Sequence, residues 1–198
     1  MSELTSEPTS GPMSEPMSEP IGRVDGTRIW QNRFLDAHLD RVRYPDGSIG
    51  EQILIHHPGA AAVVPFLSDP AGNDPQVLMI HQYRYATGGK LWEIPAGRLE
   101  PGEAPIACAH RELLEETGCT ATSITPLTTM WTTPGFTNEK IHIFLATGLT
   151  RGESRPEADE FIEVVALPLA EVLRKVESGE ISDAKTIIGI LYAAGFRT

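Results

Sequence analysis

Positive charge is scarce in this 198-residue chain: 16 Lys and Arg stand against 27 Asp and Glu, a net charge of −11. That balance argues against general binding to nucleic acid or to an anionic membrane surface, since both reward basic patches. Neither kind of partner is expected. Long apolar runs are missing too, and no stretch approaches the roughly 18 residues of a membrane-spanning helix. Cysteine is limited to Cys108 and Cys119. On one helix they would lie about 16 Å apart along the axis, too far for a disulfide. Neither has a metal-type Cys/His spacing, and two unbridged thiols point to a reducing cytoplasm. The first Lys or Arg is Arg23 and no apolar run precedes it, so a signal peptide is not expected.

The opening segment lacks what a folded core requires. Residues 1–20, "MSELTSEPTSGPMSEPMSEP", hold one Leu and no aromatic, and Ser-Glu-Pro recurs at Ser6, Ser14 and Ser18. That composition cannot bury enough apolar surface to offset the entropy of ordering, so a disordered tail is expected.

From Ile21 onward the chain reads as globular, with 40% hydrophobic and 22% charged residues overall, enough for one domain with an extension. Apolar and polar residues alternate around Pro45-Asp46-Gly47, which predicts antiparallel strands over 21–58. Short β-rich runs follow at 59–67, 76–84 and 90–97, the last ending at Pro95. A helix is predicted from Pro105, a residue suited to a first turn, to a stop at Gly118. Ile106, Ala109, His110, Leu113 and Thr117 recur along it at three- and four-residue steps, predicting its core face. Strands are expected at 123–131, 139–149 and 160–169, then amphipathic helices at 169–181 and 182–195. Strands interleaved with a few helices, without a regular βαβ rhythm, indicate an α+β protein or mixed α/β/α sandwich.

Within the predicted helix, "RELLEETG" (111–118) collects three carboxylates where like charges repel. Taking Glu112 as origin, Glu115 falls at about 300° and Glu116 at about 40°, so all three share a face about 100° wide. Arg111 sits one turn before Glu115, close enough to pair with it. Clustered carboxylate oxygens suit hard divalent cations, Mg²⁺ above all. An isolated E-x-x-E-E would more simply be a solvated acidic face. The flanking residues alter that balance.

The full stretch "GRLEPGEAPIACAHRELLEETGC" fits G-x5-E-x7-R-E-U-x-E-E-x-G-U, where U is a bulky aliphatic residue, from Gly97 through Glu103 and Arg111. Only Cys119 departs, standing where U is expected. Seven fixed identities match by chance about once in 10⁸ starting points. The stretch resembles a Nudix box, the signature of the Nudix hydrolases. The resemblance implies an α/β/α sandwich with a mixed sheet and an N-terminal set of antiparallel strands. It divides the chain into a tail (1–20), an N-terminal β region for dimerisation and substrate contacts (21–58) and a catalytic domain (59–198). It also implies hydrolysis of a nucleoside diphosphate derivative at the pyrophosphate with Mg²⁺, which Mn²⁺ can replace. By position, Glu112, Glu115, Glu116 and the Ala96 carbonyl would hold metal, with Glu103, Arg111 and Gly97 as support.

"TTPGFTNE" (132–139), "HQYRYATGGKLWEIPAGRLEPGE" (81–103) and "SDAKTIIGILYAAG" (182–195) resemble the ADP-ribose pyrophosphatase subfamily. The implied reaction turns ADP-ribose into AMP and ribose 5-phosphate, in a cytoplasmic homodimer. The alternative substrate is another nucleoside diphosphate derivative: a sugar nucleotide, a dinucleoside polyphosphate or a flavin nucleotide. The subfamily draws its general base from a loop outside the box, which points to Glu160, with Glu157 and Asp159 as alternatives. Pro134, Gly135 and Phe136 would contact substrate, an ordinary turn being the simpler reading. Glu139 would meet the terminal ribose, support a metal, or merely begin a strand. Arg84 is placed to meet a phosphate bidentately, or else to make a surface salt bridge. Trp30 and Phe34 are candidates to stack on adenine, with core burial as the alternative. His56, His57 and His81 have no metal-type spacing and are expected at strand ends or in the core.

Overall fold

The computed structural model describes residues 20–152 and 161–195. Alternation in the N-terminal region produces three antiparallel strands, β1 (Gly22–Gln31), β2 (Asp36–Arg43) and β3 (Ile49–His56), in the order β1-β2-β3. The Pro45-Asp46-Gly47 turn joins the last two. Asp46 fixes it by accepting from the Ser48 amide at 3.0 Å and the Ser48 hydroxyl at 2.6 Å. This sheet meets the rest of the protein where Ile55 donates its N–H to the Phe136 carbonyl at 2.8 Å.

Seven further strands follow. β4 (Ala60–Pro65), β5 (Gln76–Arg84), β6 (Gly89–Glu93) and β7 (Ala96–Arg98) precede the first helix, α1 (Pro105–Thr117). β8 (Cys119–Trp131), β9 (Lys140–Arg151) and β10 (Ile162–Pro168) come next, then α2 (Leu169–Glu177) and α3 (Ala184–Gly195). They form a mixed sheet β7-β4-β9-β8, in which β4 runs parallel to β9, and an antiparallel sheet β10-β5-β6.

The two-residue period of β4 explains the layers. Ala60, Ala62 and Val64 face a core that includes Phe66, Met79, Ile143, Val172 of α2 and Ile190 of α3. Ala61 and Val63 face a second core with Leu78, Phe144 and the α1 residues Cys108, Ala109 and Leu113. A strand buried on both faces belongs in the middle of a sandwich, with α1 on one side and α2 and α3 on the other. The α+β architecture is thus as the sequence implied.

Three local readings need correction. The strand expected to end at Pro95 stops earlier, at Glu93: Pro95 has no N–H to donate to a ladder, and its carbonyl accepts instead from Val63 N at 2.9 Å. The chain therefore turns at Ile94-Pro95 and re-enters a different sheet as β7. On α1, Ile106 and His110 are exposed, whereas Cys108, Glu112 and Glu116 are buried with Ala109 and Leu113. The three- and four-residue spacing marked Ala109 and Leu113 rightly but missed the rest of the stripe, because two carboxylates take buried positions. The last two helices are also shorter than their apolar pattern, with a turn at 178–183 between them.

Both cysteines are free and buried. No helix among the described residues is long and apolar enough to cross a membrane.

Candidate active site

The turn between β6 and α1 builds the site. Pro105 opens α1, and Gly118 closes it in the left-handed region (φ 70°), its N–H bonded to the Leu114 carbonyl. These ends fix the rotation of the helix, so the buried carboxylates Glu112 and Glu116 meet β7. Glu116 Oε2 accepts the Ala96 N–H at 2.9 Å. Glu112 lies against Gly97, where a Cβ would fall 1.8 Å from its Oε1. Only glycine leaves that space.

Arg111 ties the acidic residues together. It donates from Nε and Nη2 to the two oxygens of Glu103, both at 2.9 Å. Nη1 bonds Glu112 at 2.5 Å and Glu115 at 3.0 Å, and Nη2 also reaches the Arg98 carbonyl at 2.9 Å. The expected Arg111–Glu115 pair is therefore one contact among several. Hydrogen bonds from Arg111 hold the Glu103 carboxyl down to about 2. Burial pushes the Cys108 thiol up to about 12, leaving it unreactive beside this network.

A cleft of about 710 Å³ opens over these residues. Glu112, Glu115, Arg111, Ala96 and Gly97 line it, along with the sequence candidates Arg84, Phe34 and Glu139. Glu103 stands behind Arg111, and Glu116 is buried behind Ala96. Trp30, Pro134, Gly135 and Phe136 are not among the residues lining the cleft. Trp30 is 52% exposed on β1 and Phe34 is 40% exposed, so neither is a core residue. The Arg98 guanidinium covers the Phe34 ring at 3.6 Å from its centroid, a cation–π contact at the cleft wall. Glu157, Asp159 and Glu160 lie outside the described residues.

Among the described residues, no three or more acidic, His or Cys side chains are gathered at metal-holding distance. The Arg111 guanidinium bonds one oxygen of Glu112 and one of Glu115. The donor set nonetheless has the chemistry of a hard-cation site, with carboxylates and a carbonyl around one concavity beside a glycine that leaves Glu112 room.

Arg84 lines the cleft, and its ion pair is with a buried partner, not a surface one. Its Nε and Nη2 grip the buried carboxylate of Glu93 at 2.7 and 2.8 Å. Sequence reasoning missed Glu93 and Lys185, which also bonds Glu93. Their 92-residue separation hides the contact, although the Asp183 cap ahead of α3 was a visible signal. His56 ends β3, and His81 stacks on Trp92 at 4.5 Å within the sheet. His57 instead reaches the cleft wall, with Nδ1 3.5 Å from Glu139 Oε1. Burial lowers the His57 pKa against the opposing charge of Glu139, with Arg98 adding to the lowering. The Thr132 hydroxyl holds the other Glu139 oxygen at 2.9 Å.

Comparison with known proteins agrees with this geometry. The family described as NUDIX domain matches residues 57–187. The chain is 39% identical over 167 residues to the ADP-ribose pyrophosphatase of Bacillus subtilis (strain 168), covering 83% of this chain and 88% of that protein. It is 42% identical over 156 residues to the ADP-ribose pyrophosphatase of Mycobacterium tuberculosis (strain ATCC 25618 / H37Rv), covering 77% of this chain and 72% of that one. A solved structure described as an ADP compounds hydrolase superposes with a TM-score of 0.76 at 19% identity, over 92% of this chain and 96% of that one. At that identity the likeness concerns the fold alone. The chain belongs to the NUDIX family.

Proposed function

We propose that this chain is a Mg²⁺-dependent ADP-ribose pyrophosphatase that releases AMP and ribose 5-phosphate, with Mn²⁺ able to replace Mg²⁺. One observation carries the reading: the box carboxylates Glu112 and Glu116 pack on Ala96 and Gly97 of β7 beside a cleft of about 710 Å³. Relatives named ADP-ribose pyrophosphatase, matched over most of the chain, support the choice of substrate.

Glu112, Glu115, Glu116 and the Ala96 carbonyl would hold the cation. When bound, it would offset the diphosphate charge and acidify water. The chain's own residues prepare for this. Arg111 bonds and orients Glu112 and Glu115, and Glu103 anchors Arg111 from behind. Arg84 offers the edge of its guanidinium not used by Glu93 to a phosphate. Phe34, under Arg98, offers an aromatic face to the base. Glu139, braced by Thr132, can accept from a ribose hydroxyl. Glu160 is the proposed general base that takes the water proton, with Glu157 and Asp159 as its alternates.

The proposal includes a homodimer in the cytoplasm. The N-terminal sheet leaves Ile29 54%, Trp30 52% and Ile53 51% exposed, more apolar surface than one small sheet in water favours. A partner copy would cover it.

The test is a panel of nucleoside diphosphate derivatives in Mg²⁺, scored by kcat/KM and by product identity. ADP-ribose yielding AMP and ribose 5-phosphate supports the reading. Preference for a sugar nucleotide by more than about tenfold, some 1.4 kcal/mol of transition-state binding, overturns it.

A further inference from the structure

His57 lies in the link between β3 and β4, and its backbone and ring are both fixed. Its N–H is donated to Asn138 Oδ1 at 2.7 Å, which ties it to the residue next to Glu139. Its ring nitrogen Nδ1 accepts the Gly59 N–H at 3.1 Å. That amide has little freedom. Gly59 sits at φ 96°, a conformation that favours glycine, and its carbonyl is taken by the Leu99 N–H at 3.0 Å.

An Nδ1 that accepts places the one proton of a neutral ring on Nε2. The Nδ1 lone pair then also faces Glu139 Oε1, 3.5 Å away, with no hydrogen for the two to share. Glu139 is held from its other side, where Oε2 accepts the Thr132 hydroxyl at 2.9 Å and the backbone N–H is donated to the Thr137 hydroxyl at 3.2 Å. Among the described residues no hydrogen bond reaches Oε1, and Glu139 lines the cleft. A carboxylate oxygen left in that state accepts from a hydroxyl.

Protonation of the ring reverses the relationship. Nδ1 gains a hydrogen, loses the Gly59 amide and becomes a cationic donor aimed at Oε1. A movement of about 0.7 Å completes a charge-assisted bond. The charged groups at the ring are Glu139, ahead of β9, and Arg98 of β7. Arg98 is kept there by the Phe34 ring, 3.6 Å from its guanidinium. Lys140 lays its ammonium over Trp131 instead, and His56 turns to His38 of β2 with ring centroids 5.0 Å apart. Burial favours the neutral His57 ring, Glu139 opposes it and Arg98 adds to it, which leaves the pKa below 6.5.

We propose that His57 is a positioning residue for Glu139: neutral, it leaves Oε1 open to a ribose hydroxyl of the ligand, and protonated, it takes that oxygen for itself. The proposal rests on the functional reading above, in which Glu139 meets a ribose.

The test follows the full chain in Mg²⁺ buffer from about pH 8 to about pH 5, across the ordinary titration of histidine. In wild type the KM for ADP-ribose is expected to rise about tenfold towards the acid end, the worth of one hydrogen bond to a charged group. His57→Asn keeps an acceptor for the Gly59 amide but cannot become a cation. Its KM should differ by less than about twofold between the two ends, while kcat falls with acid as it does in wild type. Without substrate, NMR titration of the His57 ring should move to lower pH in Glu139→Gln, which lacks the charge that favours the imidazolium. Equal KM profiles in wild type and His57→Asn overturn the proposal, as does a ring titration indifferent to Glu139→Gln. A His57→Asn protein that loses thermal stability and kcat yet keeps the acid rise of KM also overturns it, leaving His57 a structural residue. Wild type that leaves ADP-ribose intact at every pH, with a ring titration that follows Glu139, would sink the functional reading and keep the pair.

Discussion

Gly97 and Glu112 occupy one space: a Cβ on Gly97 would lie 1.8 Å from the Glu112 Oε1 and 2.1 Å from its Cδ. The carboxylate is therefore seated by the absence of a side chain fifteen residues earlier. Gly97→Ala should displace Glu112 and lower kcat by about 100-fold, the cost of misplacing a reacting group by an ångström. The associated loss of stability should be about 1–3 kcal/mol, as for other overpacked sites. Steady-state kinetics beside urea unfolding checks this, and unchanged kcat would show that Glu112 has room elsewhere.

Glu103 links the site to pH. Its carboxyl is held from an ordinary value of 4.5 down to about 2, first by hydrogen bonds from Arg111. A depressed folded value means that the stabilisation is present above the unfolded pKa and is lost as pH falls through the folded one. Wild type should thus exceed Glu103→Gln in stability at neutral pH, and the gap should close between about pH 4.5 and about pH 2. Urea unfolding of both proteins across that window tests it. A gap that stays constant would mean that Arg111 stabilises Glu103 no more ionised than neutral.

Thr186 is fully buried and does two jobs, donating its hydroxyl to Asp183 and accepting the Ile94 N–H. Thr186→Val keeps the shape but strands a buried amide, at about 1–3 kcal/mol. The freed turn carries Ala96, so kcat should fall as well. A destabilised variant with normal kcat would separate the helix cap from the site.

The short-range features of this protein were legible in its sequence. Strand β5 spans the predicted 76–84, and α1 begins at Pro105 as its proline indicated. Such signals are local, carried by a two-residue alternation or by a cap. The box was legible because its spacing is fixed along one turn and one helix. What escaped was long-range. The break at Pro95 was visible, but the return of the chain beside β4 as β7 was not. The Glu93–Lys185 contact joins residues 92 apart, and His57 meets Glu139 across the junction of the N-terminal sheet. The stripe of α1 was only partly legible, through Ala109 and Leu113, because hydrophobicity cannot announce that Glu112 and Glu116 are buried.

The central claim is that the box carboxylates run the reaction while the scaffold stands without that role. Glu116 is the sharpest place to test it, being 1% exposed and bonded to the Ala96 N–H through an oxygen that glutamine retains. The measurement is kcat of Glu116→Gln on ADP-ribose in Mg²⁺, beside its circular dichroism spectrum and thermal melt. The account predicts a folded protein whose AMP release falls by at least about 100-fold, as when a group active only in the transition state is removed. A folded Glu116→Gln protein with full activity would contradict it.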